Sequence, residues 1–112
     1  MSLIYHIISA AAWASACAAG TYSADSLASE GFIHLSTSAQ ILATANRFYY
    51  GQPGLLLLAV DTQLLTAELR YEQSEPGQHF PHLYGPLNLA AVLAAHPFPP
   101  TPDGSFSLPK GV

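Results

Sequence analysis

The chain has 112 residues, half of them hydrophobic, and ten that carry a formal charge. That is one domain's length, such apolar content excludes disorder as the main state, and a lone cysteine, Cys17, excludes both an internal disulfide framework and a Cys-based zinc finger. Three Lys and Arg against seven Asp and Glu give a net charge of −4, which argues against a nucleic-acid partner, because such binding needs several cations to displace the counterions.

Leu3 to Ile8 alternates and is β-rich, so it reads as a strand, with Tyr5 and Ile7 on one face and His6 and Ile8 on the other. Ser9 then caps a helix through Ala19, and Gly20 stops it. Trp13 and Cys17 share one face of that helix, where Cys17 reads as core. Ala14-Ser15-Ala16-Cys17 resembles a lipoprotein cleavage box, but a basic n-region and a continuous apolar h-region are missing. Gly20 also ends the run too soon for a membrane span. The expectation is a cytoplasmic protein with no membrane partner.

Gly31 to Ser36 reads as a second strand, with Phe32, His34 and Ser36 facing one way. Thr37-Ser38-Ala39-Gln40 matches a capping box. It opens a helix with Ile41, Leu42, Ala45, Phe48 and Tyr49 on its apolar face, ended by Gly51. Leu55 to Val60 is uniformly apolar, as in a central strand, and Asp61 caps a short turn after it. Leu69 to Glu72 and Ala90 to Ala95 read as further strands. His82-Leu83-Tyr84-Gly85-Pro86 reads as a tight loop. Residues 97–112 begin with a stiff, Pro-rich segment, followed by an Asp103-Gly104 turn after which Phe106 and Leu108 pack back. Two βα units followed mostly by strands indicate one α+β domain over 1–112 with two main helices.

Five histidines stand against three Lys and Arg, and histidine binds, donates, accepts or ligates near neutral pH. His6, inside an apolar strand, is either a buried ring paired with a backbone carbonyl or a ligand-binding group before a helix N-terminus. His34 and Ser36 likewise precede a helix, as a second polar wall for a phosphate or nucleotide. Glu72 is a strand-end carboxylate fit to act as a base or to bind a ribose hydroxyl. Arg47 projects from the less apolar side of its helix, toward a phosphate or toward solvent. His79 and His82 lie three apart, but no Cys or close carboxylate completes a zinc set, so no metal is expected. There is no Walker loop, no dinucleotide-binding glycine fingerprint and no nucleophile elbow.

Ile4-Tyr5-His6-Ile7, Leu27 to Ser36, Ala45-Asn46-Arg47-Phe48-Tyr49, Arg70-Tyr71-Glu72 and Phe80 to Leu87 together resemble the bacterial family catalogued as domain of unknown function 952. That family resembles the ADP-ribosyltransferase fold, a small split β-sheet with a cleft for NAD. His34-Leu35-Ser36, a helix carrying Arg47, and Leu55 to Val60 followed by Asp61 are also similar to the central part of RNA 2′-phosphotransferases. The resemblance implies that His6 contacts the ribose or nicotinamide of NAD, that His34 and Ser36 line the second wall, and that Arg47 faces a phosphate. Tyr84, Glu72 and His82 match motifs of the uncharacterised family, with Tyr84 taken as a binding group and Glu72 and His82 as the acid–base pair. The shortage of cations argues against RNA, so a small-molecule or nucleotide ligand is expected. Two other readings stand beside this one: a non-catalytic nucleotide-binding module, and a metal-dependent hydrolase using His34, His79 and His82.

Overall fold

The computed structural model describes residues 2–112. Strand β1 (Leu3–Ser9) leads without a break into α1 (Ala10–Ala19). Ser9 supplies the cap, its hydroxyl accepting from Ala12 N–H at 3.1 Å. Gly20, at φ 83°, takes the left-handed conformation that closes the helix. The short β2 (Thr21–Tyr22) and α2 (Asp25–Glu30) follow, then β3 (Ile33–His34), α3 (Ile41–Phe48) and β4 (Leu55–Asp61). The last part is almost all strand: β5 (Glu68–Glu75), β6 (Gln78–Tyr84), β7 (Leu87–Asn88) and β8 (Val92–Pro97).

The eight strands form two three-stranded sheets, β1-β4-β8 and β3-β6-β5, and the small pair β2-β7, all antiparallel. β4 is apolar from Leu55 to Val60 because it is covered on both faces. Leu58 and Val60 join Ile4, Ile8, Ile33 and Leu83 in one core, packed against α1 and the second sheet. Leu55, Leu57 and Ala59 join Tyr5, Ile41, Ala45, Phe98 and Phe106 in the other, beneath α3. The α+β class therefore holds, with three helices where two main ones were expected. The addition, α2, has only six residues and no buried side chain, so it leaves no apolar stripe to read.

Three further expectations are corrected. Cys17 is exposed and not in the core; with no charged residue on α1, apolar spacing could not say which side turns inward. Phe106 packs on Phe98, ring centroids 4.9 Å apart, but Leu108 stays exposed. His82, Leu83 and Tyr84 belong to β6, the central strand of its sheet, although a proline normally excludes a segment from that place. Pro81 is tolerated because its ring nitrogen is on the β3 side, where β3 has already ended. Its carbonyl accepts from Leu35 N–H at 3.0 Å, and no second bond is required of it.

Gly85, between β6 and β7, is fixed by space. A Cβ there would lie 2.7 Å from the Cβ of Ala67. Gly85→Ala is expected to cost roughly 1–3 kcal/mol through overpacking, read as a lower urea midpoint with an unchanged slope.

Candidate functional site

The two larger sheets meet at one residue pair and then part. β3 pairs with β6 through Ile33–Leu83 and His34–His82. Leu35 N–H still reaches the Pro81 carbonyl, but Pro81 has no N–H to return a bond, and the ladder ends. Ser36 then turns to β1, where its N–H and carbonyl bond those of Tyr5, each at 2.8 Å. No second bridge joins β1 to this segment among the described residues. The strands diverge from Tyr5–Ser36 and leave a wedge.

His6 fills the apex of that wedge. Its Nδ1 lies 2.7 Å from the His34 carbonyl. A carbonyl only accepts, so Nδ1–H donates and the proton is on that nitrogen. Nε2 then accepts from the Tyr22 hydroxyl at 3.2 Å. Burial pulls the His6 pKa down from 6.5 to about 4, and the bond to His34 only partly offsets that, so the ring is neutral at pH 7. Burial, then the nearby Tyr49 and Asp25, push the Tyr22 phenol up to about 12.

A cleft of about 230 Å³ opens beside this pair, lined by His6, Tyr22, Ser36, Thr44 and Tyr49 among others. A second hollow of about 340 Å³ adjoins it, with Gln40, Arg47, Glu75 and Phe80 in its wall. The two share His34 and Thr44 in their walls and so lie side by side. Ser36 and Thr44 face each other, hydroxyls 3.4 Å apart. His34 Nε2 meets Glu30 at 2.9 Å. Arg47 is engaged by the Glu75 carboxylate. The largest hollow, about 540 Å³ beside α1, is lined mainly by small side chains with one carboxylate, Asp25. Its wall holds Ser15, Thr21, Tyr22, Ser23 and Asp25 but no histidine and no cation, and the split, which has both beside its hydroxyls, is the better candidate despite its smaller volume.

Glu72, His82 and Tyr84 form a separate cluster on the outer face of β3-β6-β5. The Glu72 carboxylate accepts from His82 Nδ1–H at 3.0 Å and from the Tyr84 hydroxyl. Those bonds, Tyr84's first, hold Glu72 below the usual carboxylate range, and Glu72 in turn raises Tyr84. The Arg70 guanidinium lies over the Tyr84 ring, 4.5 Å from its centroid, and bonds Glu68. His34 links the two clusters, its ring centroid 5.5 Å from that of His82.

The structure thus brings His6, His34 and Ser36 into one cleft, places Arg47 in the hollow beside it, and sets Glu72, His82 and Tyr84 together next to His34. It does not bring His34, His79 and His82 together. His79 and His82 point to opposite faces of β6, and no three metal-binding side chains converge among the described residues. Sequence reasoning missed Tyr22, Thr44 and Phe32. Thr44 had a signal: it is a polar residue three positions after Ile41, on the apolar stripe of α3. Tyr22 had none, because its role depends on where the split falls.

No helix among the described residues is long and apolar enough to cross a membrane. No match was found among curated proteins. Two solved structures of protein CC0527 from Caulobacter crescentus are similar to this chain. The crystal structure is 39% identical, covers 96% of this chain and 95% of that one, and superposes with a TM-score of 0.88. The solution NMR structure is 40% identical, covers 94% and 91%, and gives 0.82. The family model described as protein of unknown function (DUF952) matches residues 7–95, and the chain belongs to that family.

Proposed function

We propose that the protein is a small nucleotide-binding protein of ADP-ribosyltransferase type, which takes the ribosyl-nicotinamide end of NAD into the split between β1 and β3. The observation that carries this reading is the split itself, with His6, Ser36, Thr44 and Tyr22 converging on a cleft of about 230 Å³. Hydroxyls suit a sugar and a carboxamide, which need donors and acceptors but no full charge, and the His6 ring, both nitrogens already paired, holds the Tyr22 hydroxyl in place beside them. The adjoining hollow holds one cation, Arg47, for the diphosphate. These residues fit the sugar end well. They fit the diphosphate once Arg47 exchanges Glu75 for phosphate.

Bound NAD would supply the glycosidic bond that a transferase of this type breaks. The chain's own contribution is orientation. His6 is locked in one tautomer between the His34 carbonyl and Tyr22, and Ser36 is fixed by the backbone bridge to Tyr5. Groups fixed in this way lose little freedom on binding, with the Ser36 and Tyr22 hydroxyls left to meet the ligand. A second reading, a non-catalytic binding module, is favoured by one fact: neither Glu72 nor His82 lines the cleft or the adjoining hollow.

Calorimetric titration tests both. NAD is expected to bind saturably, with Arg47→Ala weakening it about tenfold through loss of a charge-assisted contact. The same variant should leave nicotinamide riboside binding unchanged, because that ligand has no phosphate. Absence of binding at millimolar NAD would contradict the proposal. Nicotinamide released during the titration would remove the non-catalytic reading.

A further inference from the structure

β5 is the outer strand of β3-β6-β5 and pairs with β6 alone. Its backbone groups are divided by the position of one proline. The Pro81 carbonyl is taken by Leu35 N–H, so the backbone of Pro81 faces β3. Tyr71 lies opposite Pro81. Opposed residues in an antiparallel pair either bond each other or both turn away. Tyr71 therefore presents its N–H and carbonyl to the free edge, and Leu69 and Gln73, two positions to either side, do the same. None of these groups has a backbone partner among the described residues. The ladder to β6 is regular from Glu68 to Gln73. The bulge, a device that often blunts such an edge, lies beyond that stretch, between Gln73 and Glu75. Tyr71 is 50% exposed. The side chains on the other face add a second observation. Arg70 and Glu72 flank Tyr71 there. Both bonds that Glu72 receives, from His82 and Tyr84, end on Oε1, so Oε2 is open. Arg70 uses Nε and Nη2 on Glu68 and keeps Nη1. Charges on an edge usually repel another strand, but these two have opposite sign at mirror positions about Tyr71.

We propose that β5 is a self-association edge, which pairs antiparallel with β5 of a second copy about a two-fold axis at Tyr71. That axis sets Tyr71 against Tyr71, Leu69 against Gln73, and Arg70 of each copy against Glu72 of the other. Every outward backbone group from Leu69 to Gln73 is then bonded. Arg70 and Glu72 meet at non-hydrogen-bonded positions, where opposed side chains come closest. The two Tyr71 rings cover each other on the opposite face, and the two sheets join into one. A slip of two residues either way sets Arg70 on Arg70 or Glu72 on Glu72, so charge fixes the register. A contact of this kind is isologous, the commonest form of subunit contact. β8, the outer strand of the other sheet, carries no charge that could choose a register. No residue from Glu68 to Gln73 lines the cleft or the adjoining hollow, so the association stands apart from the NAD reading.

Sedimentation velocity on the full chain, from about 10 μM to about 1 mM, reads the association. A shift from 11.9 kDa toward twice that mass is expected as concentration rises. Arg70→Glu and Glu72→Arg should each raise the midpoint concentration about tenfold or more, since each sets like charges opposite in both pairs. Mixed in equal amounts the two variants should associate again, because every Arg then meets a Glu. Tyr71→Pro removes an outward N–H that β6 does not use. It should fold and stay monomeric, and it serves if Glu72→Arg does not fold. Leu93→Glu, on β8, should associate as the wild type does. The amides of Leu69, Tyr71 and Gln73 should exchange with solvent more slowly at the higher concentration. A single 11.9 kDa species at every concentration would overturn the proposal. So would an association that Arg70→Glu and Tyr71→Pro leave unchanged, or two folded charge variants that fail to associate when mixed. Loss of association in Leu93→Glu alone would place the contact on β8 and overturn it as well.

Discussion

Between pH 7 and pH 4 the wild type is expected to lose about 3 kcal/mol of stability relative to His6→Gln. The cause is burial of a titratable ring at the apex of the split. In the unfolded chain His6 takes a proton near its ordinary value of 6.5, whereas in the folded protein it does so only near about 4. Each pKa unit is worth about 1.4 kcal/mol. The folded pKa is depressed, so below 6.5 the unfolded state binds more protons and is favoured. The full contribution is present above pH 6.5, declines as pH falls to about 4, and levels off below that. Glutamine keeps a donor and an acceptor but does not titrate. The difference between the two proteins thus isolates His6 from the other histidines. Urea unfolding at half-unit pH steps reads it, and parallel curves for the two proteins would refute the assignment of His6 as a buried neutral ring.

Leu58→Ala is expected to cost about 2–5 kcal/mol, the range for deleting a fully buried leucine side chain. Leu58 is 0% exposed, sits opposite His6 on β1 and Ala95 on β8, and belongs to the core between the two sheets. On a chain of this size such a loss is a large share of the total, about 5–15 kcal/mol. Leu93→Ala, at a side chain 48% exposed, should stay within about 0.5 kcal/mol. Comparable losses in the two variants would mean that the core is not centred on β4.

What was legible in the sequence was what local chemistry decides. The Ser9 cap, the Gly20 stop, the unbroken apolar run of β4 and the Asp61 cap, which accepts from Gln63 N–H at 3.0 Å, all follow from neighbouring residues. The capping box at Thr37 is half formed. Gln40 does accept from Thr37 N–H at 3.1 Å, but its amide also donates to the His79 carbonyl, and the helix starts only at Ile41. Tertiary contact there overrode a local signal. β6 was misread because Pro81 breaks a ladder in most settings, and only the early end of β3 makes it acceptable. The site followed the same division. His6, His34 and Ser36 were found as polar residues at strand-to-helix junctions. Tyr22, Phe32 and Glu75 were not, since each matters through a partner 16, 50 or 28 residues away: His6, His82 and Arg47 respectively.

Whether the split between β1 and β3 takes a ligand is tested most directly by an amide NMR titration with NAD, with ADP-ribose as the control that lacks nicotinamide. Saturable shifts are expected at Tyr5, His6, Tyr22, Ser36 and Thr44 with NAD, and with ADP-ribose a response weighted toward Arg47 and its neighbours. Shifts confined to the hollow beside α1, around Ala16 and Ser23, or no shifts at millimolar NAD, would contradict it.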